Sequence, residues 1–484
     1  MKLNSKENVT ANLLWRLLER FGAQGVTFVV SIVLARLLEP NVYGVIALVT
    51  VFTSIMQVFV DSGLGNALIQ KKDADDLDFS SVFYFNIVFC LVLYGVMYLS
   101  SPLIARIYEM PELVPILRVL SLTIVISGVK NVQQAYVSRN MLFKKFFFAT
   151  LGGTFGAAVI GILMAYKGYG VWSLVAQNLF NLSIDTCILW LTVKWRPKNL
   201  FSLNRLKGLY SFGWKLLVSQ LIDAVYEDAR SLIIGKKYST GDLAYYNRGK
   251  QFPQLLVSNM NSAIESVLFP SMSMEQDNAL KVRTMTSRAV KIISYIIMPM
   301  MFGMAVCAEQ IINLILTPKW AEAVPYMQIF CIGLAVVPTS LANLNAIKAI
   351  GRSDVYLKLE IIRKIFGTVT LVCFMWFGAK AIAYSYLLNC VITFIINAFP
   401  NKKLLNYGYG SQLLDVLPAI LLSLVMAAIT YMINWVHLSD LMTLIAQVIV
   451  GVSVYILFSI IFKVDSFQYI LSIVRRLSNK NDRG

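Results

Sequence analysis

Five polar side chains, Lys215, Ser219, Asp223, Glu227 and Arg230, recur in one apolar segment at i, i+4, i+8, i+12 and i+15. In a helix that spacing keeps them on one face, while Leu216, Leu217, Leu221, Ile222 and Val225 fall on others. At 1.5 Å rise per residue the stripe runs roughly 22 Å. Charge inside a membrane is costly and marks function. The stripe is therefore expected either to line a polar cavity or to hold Glu227 and Arg230 as a satisfied local ion pair. A second stripe, Asn12, Arg16, Arg20, Gln24, Thr27 and Ser31, marks the first apolar segment. There, cavity lining competes with snorkelling of Arg16 and Arg20 to the cytoplasmic interface. The eighth segment opens Tyr245-Tyr246-Asn247-Arg248-Gly249-Lys250-Gln251. Arg248 and Lys250 are candidates there for a sugar or phosphate, against an interfacial belt of aromatic and basic groups.

Trp15-Arg16-Leu17-Leu18 and Trp214-Lys215-Leu216-Leu217 occupy matching places in a faint internal repeat, which Phe52, Ser62 and Leu68 continue as Phe252, Ser262 and Leu268. Arg16 and Lys215 thus bring one basic group from each half to a common space, which suits an anionic ligand entering from the cytoplasm. Asp61 reads chiefly as a helix cap or packing residue. Gly152, Gly153, Gly156 and Gly161 read as close-packing sites between helices. Catalytic patterns are missing. There is no G-x-x-x-x-G-K-[ST] loop for ATP and no acidic pair in a large loop. The one histidine, His437, and the lack of a Cys/His cluster argue against zinc or haem. No metal, no cofactor and no enzymatic activity are expected. The six cysteines all fall in apolar segments and are expected to be free thiols.

The elements that must hold these residues are membrane helices. Hydrophobic residues make up 57% of the 484 and charged residues 14%, with mean hydropathy +0.66. Apolar stretches of about 20 residues recur throughout, each long enough to span a bilayer. Strand-like alternation is absent. No cleaved signal peptide is read at the N-terminus. Fourteen spans are predicted, from 11–38 to 440–462, giving an all-α polytopic membrane protein. With both termini in the cytoplasm, most Lys and Arg fall on that side, Lys130 near the end of the fourth span, 113–135, among them, as the positive-inside rule requires. The net charge of +17 is thereby explained by topology and anionic headgroups, and nucleic acid is excluded as a partner. Six spans separate the repeat copies, so the halves run parallel. The expected organisation is an N-terminal six-helix bundle over 1–192, a cytoplasmic interfacial linker over 193–208, a second six-helix bundle over 209–400, and two further helices with a basic tail over 401–484.

Several runs carry a family likeness. They are Ala35-Arg36-Leu37-Leu38-Glu39-Pro40-Asn41-Val42-Tyr43-Gly44, the stretch Phe59-Val60-Asp61-Ser62-Gly63-Leu64-Gly65-Asn66-Ala67-Leu68-Ile69-Gln70-Lys71-Lys72, then Leu243-Ala244-Tyr245-Tyr246-Asn247-Arg248 and Leu268-Phe269-Pro270. Over nearly its whole length the chain resembles the polysaccharide flippases of the multidrug/oligosaccharidyl-lipid/polysaccharide exporter superfamily, in the branch for lipopolysaccharide, colanic acid and teichuronic acid export. The resemblance implies two six-helix bundles around a V-shaped cavity, alternating access, and a polyprenyl-diphosphate-linked oligosaccharide as cargo. It places the chain in the bacterial cytoplasmic membrane, among membrane lipids and beside glycosyltransferases and a polymerase of the same pathway. It maps lipid-diphosphate contacts best onto Arg16, Arg20, Lys215 and Arg248, with Arg230 and Lys250 as further candidates on the same polar faces. The two additional C-terminal helices resemble those of relatives with a groove for the lipid tail. Asp223 and Glu227 depart from the basic pattern, either as ligands of a coupling cation or as neutralising partners. Export of small amphipathic cations, and glycan polymerisation or ligation by a membrane enzyme, remain as alternatives.

Overall fold

The computed structural model describes residues 6–61 and 64–481. Within that range the side chains of residues 6–14, 16, 17, 20, 66, 209–213, 215, 216, 473, 474 and 476–481 fall outside the description. The chain divides into two compact units, Met1–Ala244 and Tyr245–Gly484.

The first unit holds α1 (Lys6–Leu37), α2 (Pro40–Val60), α3 (Leu64–Gln70), α4 (Asp76–Ile107), α5 (Leu113–Leu120), α6 (Leu122–Arg139), α7 (Phe143–Tyr166), α8 (Val171–Thr192) and α9 (Leu203–Lys237). Local chemistry sets their ends. Pro40 occupies the first turn of α2, where a missing N–H costs nothing. At α4 the Asp75 carboxylate accepts from the Asp78 N–H at 3.0 Å and Asp78 accepts from the Asp75 N–H at 3.2 Å, forming a capping box. Lys71 pairs with Asp78 at 2.6 Å. The Arg139 guanidinium donates to the Leu68 and Lys72 carbonyls, satisfying the end of α3.

Small residues set how close these helices come. A Cβ at Gly44 on α2 would lie 1.8 Å from the Thr240 carbonyl oxygen. A Cβ at Gly153 on α7 would lie 2.7 Å from the Asn181 carbonyl oxygen on α8. The glycines of α7 are thus packing sites, since Gly152 and Gly156 face Ile188 and Ile184 in the same way.

Residues 193–202 lie extended along the start of α4. Trp195 is buried against Phe79, Phe83 and Tyr136 and donates to Asp76 at 3.1 Å. The Lys198 and Ser202 N–H groups donate to Ser80 and Ser81. α9 then packs within the first unit, against α2, α3 and α4.

Helix α10 (Thr240–Ser273) leads into the second unit, which holds α11 (Ala279–Val306), α12 (Ala308–Ile315), α13 (Ala323–Leu334), α14 (Val337–Ala349), α15 (Ser353–Phe374), α16 (Ala379–Leu405), α17 (Tyr409–Tyr431), α18 (Asp440–Ile461) and α19 (Asp465–Asn481). Buried amides tie α14, α16 and α17 together. Asn401 donates to Asn343 at 2.7 Å and Asn343 to Gln412 at 2.9 Å, the kind of interhelical hydrogen bond that substitutes for a hydrophobic drive in lipid.

The outward surface is apolar: Leu99, Leu191 and Phe377 are each more than three-quarters exposed. Among the described residues ten helical segments are long and apolar enough to cross a membrane, counting α5–α6 and α13–α14 as one each. Four further helices of 22 residues or more, α1, α9, α10 and α15, carry more charge.

Candidate functional site

Inside the first unit α2, α5, α6 and α8 surround a cavity of about 500 Å³. Its walls are hydroxyls and amides: Thr53, Ser54 and Gln57 from α2, Thr123 and Gln134 from α6, Asn178 and Asn181 from α8. Their placement follows from helical spacing, because Asn178, Asn181 and Asp185 recur at i, i+3 and i+7 and share a face. One ion pair crosses the cavity wall. Lys130 of α6 meets Asp185 of α8 at 2.6 Å, and both side chains are almost excluded from solvent. The second oxygen of Asp185, Oδ1, is buried with no hydrogen-bond partner among the described residues.

Asp61, at the C-cap of α2, lines the cavity and accepts from Asn131 at 3.2 Å and Gln57 at 3.3 Å. Asp61 and Gln134 also line an adjoining cavity of about 340 Å³ that reaches Glu19 of α1 and Thr150 of α7. The sequence reading of Asp61 as a cap captures its position and misses its exposure to this space.

Lys130, counted with the cytoplasmic-side charges near the end of the fourth predicted span, lies within α6 and spends its charge on Asp185. A basic residue a few positions from Arg139 looks like a helix flank in sequence, and only the facing carboxylate on α8 reveals the interior site. Lone charges in two apolar segments, 55 positions apart, are the signal that marks this pair.

The α9 stripe forms on one unbroken helix. Asp223 and Glu227 are exposed on it, whereas Arg230 is buried with its guanidinium carbon 5.7 Å from the Tyr226 ring centre. Arg16 and Arg20 lie on α1 and Lys215 on α9, but the side chains of all three are outside the described residues. In the second unit Arg248 is buried, stacked over Trp320 at 5.5 Å and donating to Gln251 at 2.5 Å. Lys250 is half-buried with its ammonium 4.8 Å from the Tyr386 ring centre. Both cations therefore rest on aromatic faces.

The second unit also carries an apolar groove of about 730 Å³ between α17 and α18. Leu417, Leu421, Val425 and Phe458 line it, and Lys291 and Lys463 stand at one end.

A profile of the family described as polysaccharide biosynthesis protein matches residues 33–325. The chain belongs to this family. Among its relatives is the succinoglycan biosynthesis transport protein ExoT of Rhizobium meliloti (strain 1021), 25% identical over 367 residues that cover 76% of this chain and 74% of that one. Another is the teichuronic acid biosynthesis protein TuaB of Bacillus subtilis (strain 168), 24% identical over 392 residues, 78% of this chain and 79% of that one. The fold is that of the lipid II flippase MurJ in its inward closed conformation, with a TM-score of 0.77 at 16% identity over 93% of this chain and 98% of that one. A polysaccharide biosynthesis protein of this fold is a multi-pass membrane protein, in agreement with the ten apolar spans.

Proposed function

We propose that this chain is a flippase that carries a polyprenyl-diphosphate-linked oligosaccharide from the cytoplasmic to the outer leaflet of the bacterial cytoplasmic membrane. The observation that carries the reading is a polar cavity lined by membrane helices in a member of the polysaccharide biosynthesis family. A lipid bilayer offers no polar partners, so such a cavity is a path for something hydrophilic. The relatives named for glycan biosynthesis and for transport support the same class of cargo. On this reading the chain makes and breaks no covalent bond.

The ten apolar segments together with α1, α9, α10 and α15 make fourteen spans in this reading, two parallel six-helix bundles and two added helices, with both termini cytoplasmic. Access alternates between the two faces. Arg16, Arg20 and Lys215 meet the diphosphate, because a doubly anionic group leaving water needs compensating positive charge. Arg230, Arg248 and Lys250 serve later in its path, the diphosphate drawing the last two off their aromatic faces. The polyprenyl tail lies in the groove between α17 and α18. Asp223 and Glu227, both exposed on α9, are the candidates for a coupling cation.

Complementation of a glycan-export-deficient strain, with membrane levels matched, tests this assignment. Arg16→Ala and Lys215→Ala are expected to abolish export, and Arg16→Lys to restore part of it, since Lys lacks the two-pronged phosphate geometry of Arg. Lys198→Ala should cost little, because its ion pair with Asp76 is exposed. Full activity of both alanine variants would remove the diphosphate site from these residues.

A further inference from the structure

The cavity in the first unit has a composition that fits one part of such a cargo and not the other. Among the described residues lining the main cavity, Asp61 and Asp185 supply two carboxyl groups and Lys130 one ammonium. That ammonium is already committed to Asp185 at 2.6 Å. The balance of charge is wrong for a diphosphate, which like charge would repel. It is also poor for a free metal cation, because Lys130 occupies the place beside Asp185 that a cation would take. The remaining walls carry amides and hydroxyls, groups that both donate and accept. Sugar hydroxyls need that pairing, and the buried Asp185 Oδ1 has no hydrogen-bond partner among the described residues. The size, about 500 Å³ with a further 340 Å³ beside it, lies in the range of small-molecule sites.

We infer that this cavity is a glycan subsite, holding neutral or amine-bearing sugar residues of the cargo through Gln57, Gln134, Asn178, Asn181 and Asp185, and disfavouring uronic acids. The inference rests on the flippase reading and adds a division of labour to it: the sugar is recognised inside the first unit, apart from the groups that meet the diphosphate. Asp61 sets the discrimination against acidic sugars, since a carboxylate placed here would face another carboxylate.

The test uses the purified full-length protein and three lipids with the same polyprenyl diphosphate: one bare, one bearing a neutral disaccharide, one bearing a disaccharide that ends in a uronic acid. Binding of each is measured, and so is movement of the two glycolipids between leaflets of proteoliposomes. The wild type is expected to bind the neutral glycolipid about tenfold more tightly than the bare lipid. Asn178→Ala/Asn181→Ala should lose that increment while binding the bare lipid as before. Asn178 spends its amide only on the Leu174 carbonyl of its own helix, so this variant removes little structure. If it does not fold, Gln134→Ala, at the junction of the two cavities, carries the same measurement. Asp61→Asn should narrow the preference for the neutral over the uronate glycolipid. A sugar that adds no affinity in the wild type, or an increment that survives both cavity variants, overturns the subsite and leaves the flippase reading standing. Failure of the wild type to move either glycolipid overturns the flippase reading itself.

Discussion

Lys130 and Asp185 show how a membrane helix tolerates charge. Each is nearly buried and each is the other's counter-ion at 2.6 Å. Removing one partner leaves an uncompensated ion, at a cost of about 3–5 kcal/mol, whereas replacing both by apolar groups of similar volume is often neutral. Lys130→Met alone is therefore expected to lower the thermal unfolding midpoint in detergent markedly, and Lys130→Met/Asp185→Leu to recover most of it. If the single and double variants unfold alike, the pair is not the buried partnership described here. In the sequence the two stand out only as lone charges in apolar segments; their pairing was not legible, because two charges 55 positions apart share no periodicity. The α9 stripe was legible, because i, i+4 repetition survives intact in a continuous helix. Sequence alone did not separate exposed Asp223 and Glu227 from buried Arg230, since burial depends on which neighbours each helix face meets.

At the level of elements, helix type was legible and helix continuity was not. The segment predicted as a single fourth span, 113–135, breaks at Ser121 into α5 and α6; the ninth, 286–316, breaks at Cys307; and the tenth, 323–347, divides into α13 and α14. Apolar periodicity runs straight through such breaks, because one or two residues out of register leave the pattern unchanged. Close approaches are likewise fixed by geometry the sequence only hints at. Gly44→Ala puts a methyl against the Thr240 carbonyl, a backbone atom that cannot turn aside. It is expected to destabilise the first unit by about 1–3 kcal/mol, read as a lower unfolding midpoint; an unchanged midpoint contradicts the packing of α2 on that carbonyl.

The capping box of α4 makes a separate prediction. The Asp78 backbone N–H donating to Asp75 holds its carboxyl below the ordinary carboxylate range, with Arg205 and Lys71 acting in the same direction. A carboxyl depressed in the folded state stabilises it at neutral pH and loses that contribution as pH falls through the folded value. Asp75→Ala should cost about 1 kcal/mol at neutral pH and flatten the acid dependence of amide exchange at the start of α4. Unaltered exchange in the variant would show that the cap does not hold this helix end.

For the whole molecule, apolarity marks ten spans among the described residues, and the fourteen proposed require four more. The four polar helices α1, α9, α10 and α15 fall short as hydrophobic segments because they carry more charged and amide side chains. Polar stripes at helical spacing mark α1 and α9 in the sequence, and α10 opens on the polar run 245–251, whereas α15 is read from its apolar content alone. With fourteen spans and both ends inside, a cysteine introduced at Ser239 should react with an impermeant reagent from outside and one at Lys198 only from inside. The reverse pattern would overturn the topology. The central claim, that the chain moves a lipid-linked glycan and does not remodel it, is tested most directly in liposomes. The purified full-length protein is reconstituted with a fluorescent polyprenyl-diphosphate oligosaccharide, and its arrival in the opposite leaflet is followed with an impermeant quencher. The account predicts translocation well above that of protein-free vesicles, a glycan of unchanged length, and rates in Arg16→Ala and Lys215→Ala reduced in line with a loss of about 2–5 kcal/mol of substrate interaction. Protein that inserts fully but moves no glycolipid, or that lengthens the glycan, would contradict it.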